Sequence, residues 1–332
     1  MHYEDTKVLD KVALVHLDVS TWSGRKKLRP EDIKGSVPPK KLASLGSKRI
    51  VDPKKVAVFE SLKRRAERLL GAIGVRTMGT YAVPIDRVKE LNESLREIKE
   101  EFLREKDWFL DSYHASVEAW IDEQEEWGEI IRSAITPVSE VRNQLGFTWQ
   151  VFHVQPTGID DDGLSEEVGG LAGRLFNEIS REATRIFEES FLMKTKVGQR
   201  ALRPIRAIQE KLQGLAFLDA RAYVLSKFLD QILSTLPKVG SIEGEQLNKL
   251  FGLLIVLSSP TKVAKYGQDL LDGIDVTDSE LISLSGMDYE DEENEEVEAT
   301  SIEQDDDTDA ESPGVQQDSN TNSIKAAQQA WF

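Results

Sequence analysis

Apolar and polar residues alternate between positions 12 and 22, with Val15, Leu17 and Val19 on one side and His16, Asp18 and Ser20 on the other. A period of two predicts a strand with one buried face. Residues 147–154 alternate as well, Phe147, Trp149 and Val151 against Thr148, Gln150 and Phe152. Both of those sides carry large apolar groups, which predicts a strand in the middle of its sheet. Residues 77–83, rich in Thr, Tyr and Val and closed by Pro84, predict a third strand. Lone strands and hairpins are unstable, so the three together predict one small sheet.

Elsewhere the period is helical. Val58, Leu62, Ala66, Leu69, Leu70 and Ile73 define a helix over residues 56–73, started by Asp52-Pro53 as cap and first turn. After Pro84 the residues Val88, Leu91, Leu95, Ile98, Phe102, Phe109, Tyr113, Val117, Trp120, Gln124, Trp127 and Ile131 recur in steps of three, four or seven. That heptad-like stripe predicts a long, coiled-coil-like helix of roughly 45 residues, about 70 Å if continuous, with break points at Lys106 or Gly128. Two further stripes, from Val168 to Met193 and from Leu202 to Leu236, predict an antiparallel helical hairpin around the turn 196–199. Shorter closing helices follow at 243–257 and 260–271. Such stripes pair equally well within a chain or between copies in an oligomer. The fold class is therefore mostly α with a small β-sheet (α+β). Its expected division is an α+β part at 1–160, a helical part at 161–272 and a tail at 273–332.

The tail changes the picture of charge. The chain has 59 acidic and 42 basic residues, a net charge of −17, and 18 of the acids but only one of the bases lie in residues 273–332. Residues 1–272 hold 41 of each and are neutral. A segment so acidic and so poor in apolar residues cannot bury enough to order itself and is predicted to be disordered. Its last residues differ: Ile324, Ala327 and Trp331, with Phe332, would line one face of a short helix, the form of a helix-in-groove docking motif. The body is polarised too. Residues 24–68 carry 15 basic and five acidic side chains. Arg25, Lys26, Lys27, Lys48 and Arg49 are the candidate surface for an anionic partner. The alternatives for these cations are solvated faces and structural ion pairs.

Candidate chemistry is sparse. The absence of cysteine excludes disulfides, thiolate zinc sites and cysteine nucleophiles, and fits a reducing compartment. Gly71-Ala72-Ile73-Gly74 lacks the Lys-Ser/Thr of a phosphate loop. His16 and His153 lie on two of the predicted strands, and a pair leaves zinc short of its three or four ligands. Asp160-Asp161-Asp162-Gly163 lacks the spaced ligands of a calcium loop. No catalytic residue, cofactor or metal is predicted. The longest apolar run, 253–257, is far short of the ~20 residues of a membrane span and predicts a core helix. The N-terminus has neither a basic nor an apolar leader region, so a cytoplasmic protein is expected.

Three segments carry a resemblance: His16-Leu17-Asp18-Val19-Ser20-Thr21-Trp22-Ser23-Gly24-Arg25-Lys26-Lys27-Leu28, Pro39-Lys40-Lys41-Leu42-Ala43-Ser44-Leu45-Gly46-Ser47-Lys48-Arg49 and Gly74-Val75-Arg76-Thr77-Met78-Gly79-Thr80-Tyr81-Ala82-Val83-Pro84. Together they resemble an uncharacterised domain-of-unknown-function family carried by bacterial plasmids, integrative conjugative elements and some phages. The resemblance implies a setting and no catalytic residues. Such proteins tend to be encoded beside a MoxR-like AAA+ ATPase, similar to the small cobaltochelatase subunit, and a von Willebrand A-type protein. It implies a non-catalytic adaptor or scaffold of an ATP-driven remodelling system. The competing expectation is a nucleic-acid-binding accessory of mobile DNA, autoregulated by its acidic tail.

Overall fold

Val12, Ala13, Leu14 and Val15 are all buried, so the strand they begin has protein on both of its faces. The computed structural model describes residues 7–33, 35–156, 162–274 and 281. Strand β1 (Val12–Ser20) pairs antiparallel with β5 (Thr80–Pro84) on one side and β6 (Gly146–Phe152) on the other. β4 (Val75–Thr77) lies outside β5, giving the order β4-β5-β1-β6. Alternate residues feed two separate cores. Ala13, Val15, Val19, Val83 and Phe147 join a cluster on one face, while Val12, Leu14, Val75 and Ala82 join another on the opposite face.

The first face is covered by α1 (Pro53–Ile73), α2 (Val88–Asp111), α3 (Tyr113–Glu123), α4 (Gly128–Arg132) and α5 (Val138–Gln144). α1 starts as the sequence predicts, with Pro53 in the first turn and the Asp52 carboxylate accepting from the Lys54 N–H at 2.9 Å. The long stripe is interrupted. Ser112 separates α2 from α3, and a turn at Gln124–Gly128, with Glu125 at φ 37°, precedes α4. The seam itself survives the first break: Phe109 and Tyr113 stay buried and pack edge to face. The Tyr113 hydroxyl donates to the Thr136 carbonyl at 2.7 Å, which fixes the bend.

After α6 (Asp162–Gly169), the second face is covered by α7 (Leu171–Ile186), α8 (Leu202–Gly214), α9 (Ala220–Thr235), α10 (Gly244–Leu257) and α11 (Pro260–Leu271). The stripe from 202 to 236 is two helices and not one arm of a hairpin. The chain turns at 215–219, where Asp219 caps α9 by accepting from the Arg221 N–H at 2.8 Å. α9 packs on α8 and α11, and α10 packs on α7, so the helices form a bundle. The apolar run is the predicted core helix, α10, with Leu250, Leu253, Leu254 and Leu257 at most 1% exposed.

Two strand predictions are corrected. The stretch 77–83 is not one continuous strand: Met78 and Gly79, at φ 47° and 69°, turn the chain between β4, which ends at Thr77, and β5, which begins at Thr80. Two consecutive positive φ values are what a tight two-residue hairpin loop requires. β6 is an edge strand and not a central one, because only β1 pairs with it among the described residues. Its apolar Val151 and Phe152 are 37% and 41% exposed. The opposite edge is closed by side chains. Glu178 accepts the Arg76 N–H at 3.1 Å, and Glu167 accepts from the Thr77 hydroxyl at 2.8 Å and from Arg174. Of the predicted tail, Gly273, Ile274 and the buried Leu281 are described, and the rest lies outside the described residues.

Two predictions follow from this packing. A Cβ at Gly252 would stand 1.8 Å from the carbonyl oxygen of Leu281, which is buried against α10. Gly252→Ala is therefore expected to destabilise by about 1–3 kcal/mol through overpacking. Gly71, in α1 with open space around it, should gain up to about 1 kcal/mol as alanine. Thermal melts of the two variants check the contrast. The hydrogen bond from Arg174, and then that from Thr77, holds the Glu167 carboxyl down at about 2 against an ordinary 4.5. A carboxylate lowered on folding stabilises above its unfolded value and loses that contribution as pH falls toward its folded one. Glu167→Gln should therefore cost stability at neutral pH and progressively less between pH 4.5 and 2, read as converging melting temperatures.

Candidate functional site

Beyond Val15 the alternation of β1 resumes, and the strand ends near Trp22, which is buried against Phe109 and Tyr113 at ring distances of 5.9 and 5.7 Å. Gly24, at φ 65°, then turns the chain into a short ribbon. β2 (Arg25–Lys27) pairs antiparallel with β3 (Ser47–Arg49), setting Arg25 opposite Arg49 and Lys26 opposite Lys48. Like charges directly opposite repel, so each pair needs a compensating anion or a reason to lack one.

The lysine pair is compensated. Lys48 Nζ contacts both Asp32 oxygens at 2.8 and 2.7 Å, and the Arg29 N–H donates to the same carboxylate at 2.8 Å. The two side chains are only 10% and 6% exposed. The Lys48 hydrogen bond, followed by the Arg29 N–H, holds the Asp32 carboxyl below the usual range. Lys26 reaches Glu140 at 3.7 Å. These two lysines, with Lys27, border a groove of about 1100 Å³ that also takes in Arg29, Lys40 and Glu140.

The arginine pair is not compensated. Arg25 and Arg49 line a separate cleft of about 530 Å³, facing Arg64 and Arg68 of α1. The last two lie one turn apart, on the side of α1 away from buried Phe59, Leu62, Ala66 and Leu70. All four arginines are exposed, and none forms an ion pair or side-chain hydrogen bond among the described residues. The cleft has one carboxylate, Glu60, which accepts from the Thr21 hydroxyl. Ser23 and Ser61 add hydroxyls, and Trp22, Val51 and Val56 supply an apolar floor. Guanidinium forks match carboxylate or phosphate oxygens two at a time, so the arrangement can hold an anion of more than one charged group.

The five cations singled out from sequence thus come together on one ribbon but divide by face. Arg64 and Arg68 were legible only as members of the basic run; their spacing of four on the polar side of a predicted helix was the available signal. Ile324, Trp331 and Phe332 lie outside the described residues, as do Asp160 and Asp161. His16 sits opposite Gln150, and His153 lies beyond the end of β6. Among the described residues no group of three His, Asp or Glu is placed to hold a metal, and no helix is long and apolar enough to cross a membrane.

The two faces predict opposite responses to mutation. Lys48→Ala leaves the Asp32 carboxylate buried without its cation and should cost about 3 kcal/mol. Arg25→Gln with Arg49→Gln removes a repulsion and should change stability by less than about 0.5 kcal/mol, or raise it. Urea denaturation of the two variants measures both.

A family model described as "Protein of unknown function (DUF3150)" matches residues 9–259. No curated protein and no solved structure matches the chain. The matched stretch takes in the ribbon, the arginine cleft, the whole sheet and both helical layers as far as α10, and the chain belongs to this family of unknown function.

Proposed function

We propose that this protein is a non-catalytic adaptor that docks an acidic segment of a protein partner in its arginine cleft. The observation that carries the reading is the set of four guanidinium groups, Arg25, Arg49, Arg64 and Arg68, gathered round one cleft without a carboxylate partner among the described residues. Some cations elsewhere on the surface are neutralised, as Arg65 is by Glu101 and Arg132 by Glu118; what sets these four apart is that they share one cleft. Arg25 and Arg49 are instead held in mutual opposition by the ribbon, and their backbone is pinned. The Trp120 Nε1–H donates to the Arg49 carbonyl at 3.2 Å, and the Ile50 N–H to the Gly24 carbonyl at 2.9 Å. A cleft of this size, with charged walls and an apolar floor, suits a short peptide segment carrying two or more acids. From the family resemblance, the partners are the MoxR-like AAA+ ATPase and the von Willebrand A-type protein. Ile324, Trp331 and Phe332 serve as a second anchor.

Nucleic acid is the second reading, favoured by the same four arginines, which bind phosphate oxygens as well as carboxylates. The absence of repeated exposed aromatics in residues 24–58 argues against single-strand stacking. Co-purification of the tagged chain with the two neighbouring gene products, with ATP and with a non-hydrolysable analogue, tests the adaptor reading. Arg25→Glu with Arg49→Glu is expected to weaken the complex at least tenfold, and Lys27→Glu much less. Retention of full binding by the arginine variant overturns the cleft as the docking site. Capture of DNA with a steep salt dependence and of neither protein selects the second reading.

A further inference from the structure

We infer that β6 is a self-pairing edge through which two copies of this chain join their sheets into one. This rests on a different surface from the arginine cleft. The strand reads Gly-Phe-Thr-Trp-Gln-Val-Phe and contains no charge and no proline. Natural sheets usually blunt their outer strands with lysine, proline or a covering element. Here the other edge is treated in that way: β4 is three residues long and Glu178 occupies its Arg76 N–H. β6 spends seven residues in register with β1, and its outer side meets no backbone partner among the described residues.

A second copy is the occupant because the strand is a palindrome in polarity. Laid antiparallel on itself about Trp149, it sets Phe147 opposite Val151 and Thr148 opposite Gln150, each twice. Apolar residues meet apolar ones on one face, and a hydroxyl meets an amide on the other. Phe152 then lies over Gly146, an arrangement that shields a glycine in a strand. A two-fold interface requires this kind of self-complementarity, in which residue i meets j and j meets i. An uncharged strand also meets its copy with no repulsion, whereas a charged partner strand would gain nothing from it. Trp149 is held in place for the contact by its Nε1–H, which donates to Asn92 at 2.7 Å, and by Lys99 over its ring.

Thr148 and Gln150 are exposed and face Asp18 and His16 within the protomer, so charges there leave the monomer intact. The full chain should sediment at twice the protomer mass at micromolar concentration. Thr148→Lys with Gln150→Lys places lysine opposite lysine at two positions across the axis and should give a monomer, with dissociation constant raised at least tenfold. Thr148→Lys with Gln150→Glu places lysine opposite glutamate in the same register and should restore the dimer. Circular dichroism confirms that both variants are folded. A wild-type chain that stays monomeric overturns the inference, including the case in which it binds another protein's strand there. So does a dimer indifferent to the double lysine, or a double-lysine monomer that the charge swap fails to restore. None of these outcomes bears on the cleft, whose arginines are unchanged in every variant.

Discussion

Burial of β1 from both sides at Val12–Val15 is the constraint on which the rest of the structure depends. Neighbouring side chains in a strand point to opposite faces, so Val12 and Leu14 are committed to one helical layer and Ala13 and Val15 to the other. A register slip of one residue would exchange the two sets, leaving each layer with side chains shaped for its opposite. That double commitment orders the whole sheet. β5 repeats it with Ala82 and Val83, and the Met78-Gly79 turn carries it to Val75 in β4. Beyond Val15, Leu17 and Val19 still pack in the first layer's cluster, but His16 and Asp18, on the other face, are exposed. The strand therefore has a core half and an open half, and the cationic ribbon hangs from the open end.

The ribbon could not stand alone. A pair of three-residue strands has too little to bury. Its support comes from both flanks: Trp22 enters the aromatic cluster of Phe109 and Tyr113, while Ile50 and Val51 are buried immediately after β3. Between those anchors, Lys48 and Asp32 tie the second strand to the turn at Pro30–Asp32. A fixed Lys48 fixes its neighbour Arg49 on the opposite face. The structural cation and the unpaired one are thus consecutive residues, separated only by the alternation of the strand.

The sequence was informative where burial repeats and silent where it does not. The strand over residues 12–20, the helix after Asp52-Pro53 and the core helix at 244–257 were all legible, because each carries several apolar residues at one period. The breaks at Ser112 and at 215–219 were not. A seam that continues across a bend keeps its spacing of three and four, as Phe109 and Tyr113 do, so the pattern reports the burial and hides the turn. The strand predicted at 147–154 was read as central because apolar groups on two faces are common to buried strands and to edges that meet a partner. The ribbon was invisible as structure, since three-residue strands of Arg and Lys have no apolar period at all. Its charge was visible, but charge alone could not say which cations were neutralised. That distinction depends on Asp32, 16 residues from Lys48, and Glu140, far along the chain from Lys26.

Places where local preference and global fold disagree draw attention. Arg25 opposite Arg49, with Arg64 and Arg68 across a cleft, is such a place. Neutralising any one of them would have been simple, as the Lys48–Asp32 pair shows one residue away. Holding them unpaired costs the empty protein some repulsion, and an entering anion removes that repulsion as well as adding its own attraction. The guanidinium groups stand on a helix and a pinned ribbon, so less freedom is lost on binding than for four cations on a loop. Lysine at these positions would supply the same charge without the planar fork, and its flexible stem would surrender more entropy. The physical case for a binding site therefore rests on where the arginines are held apart from carboxylates, more than on how many cations the surface carries.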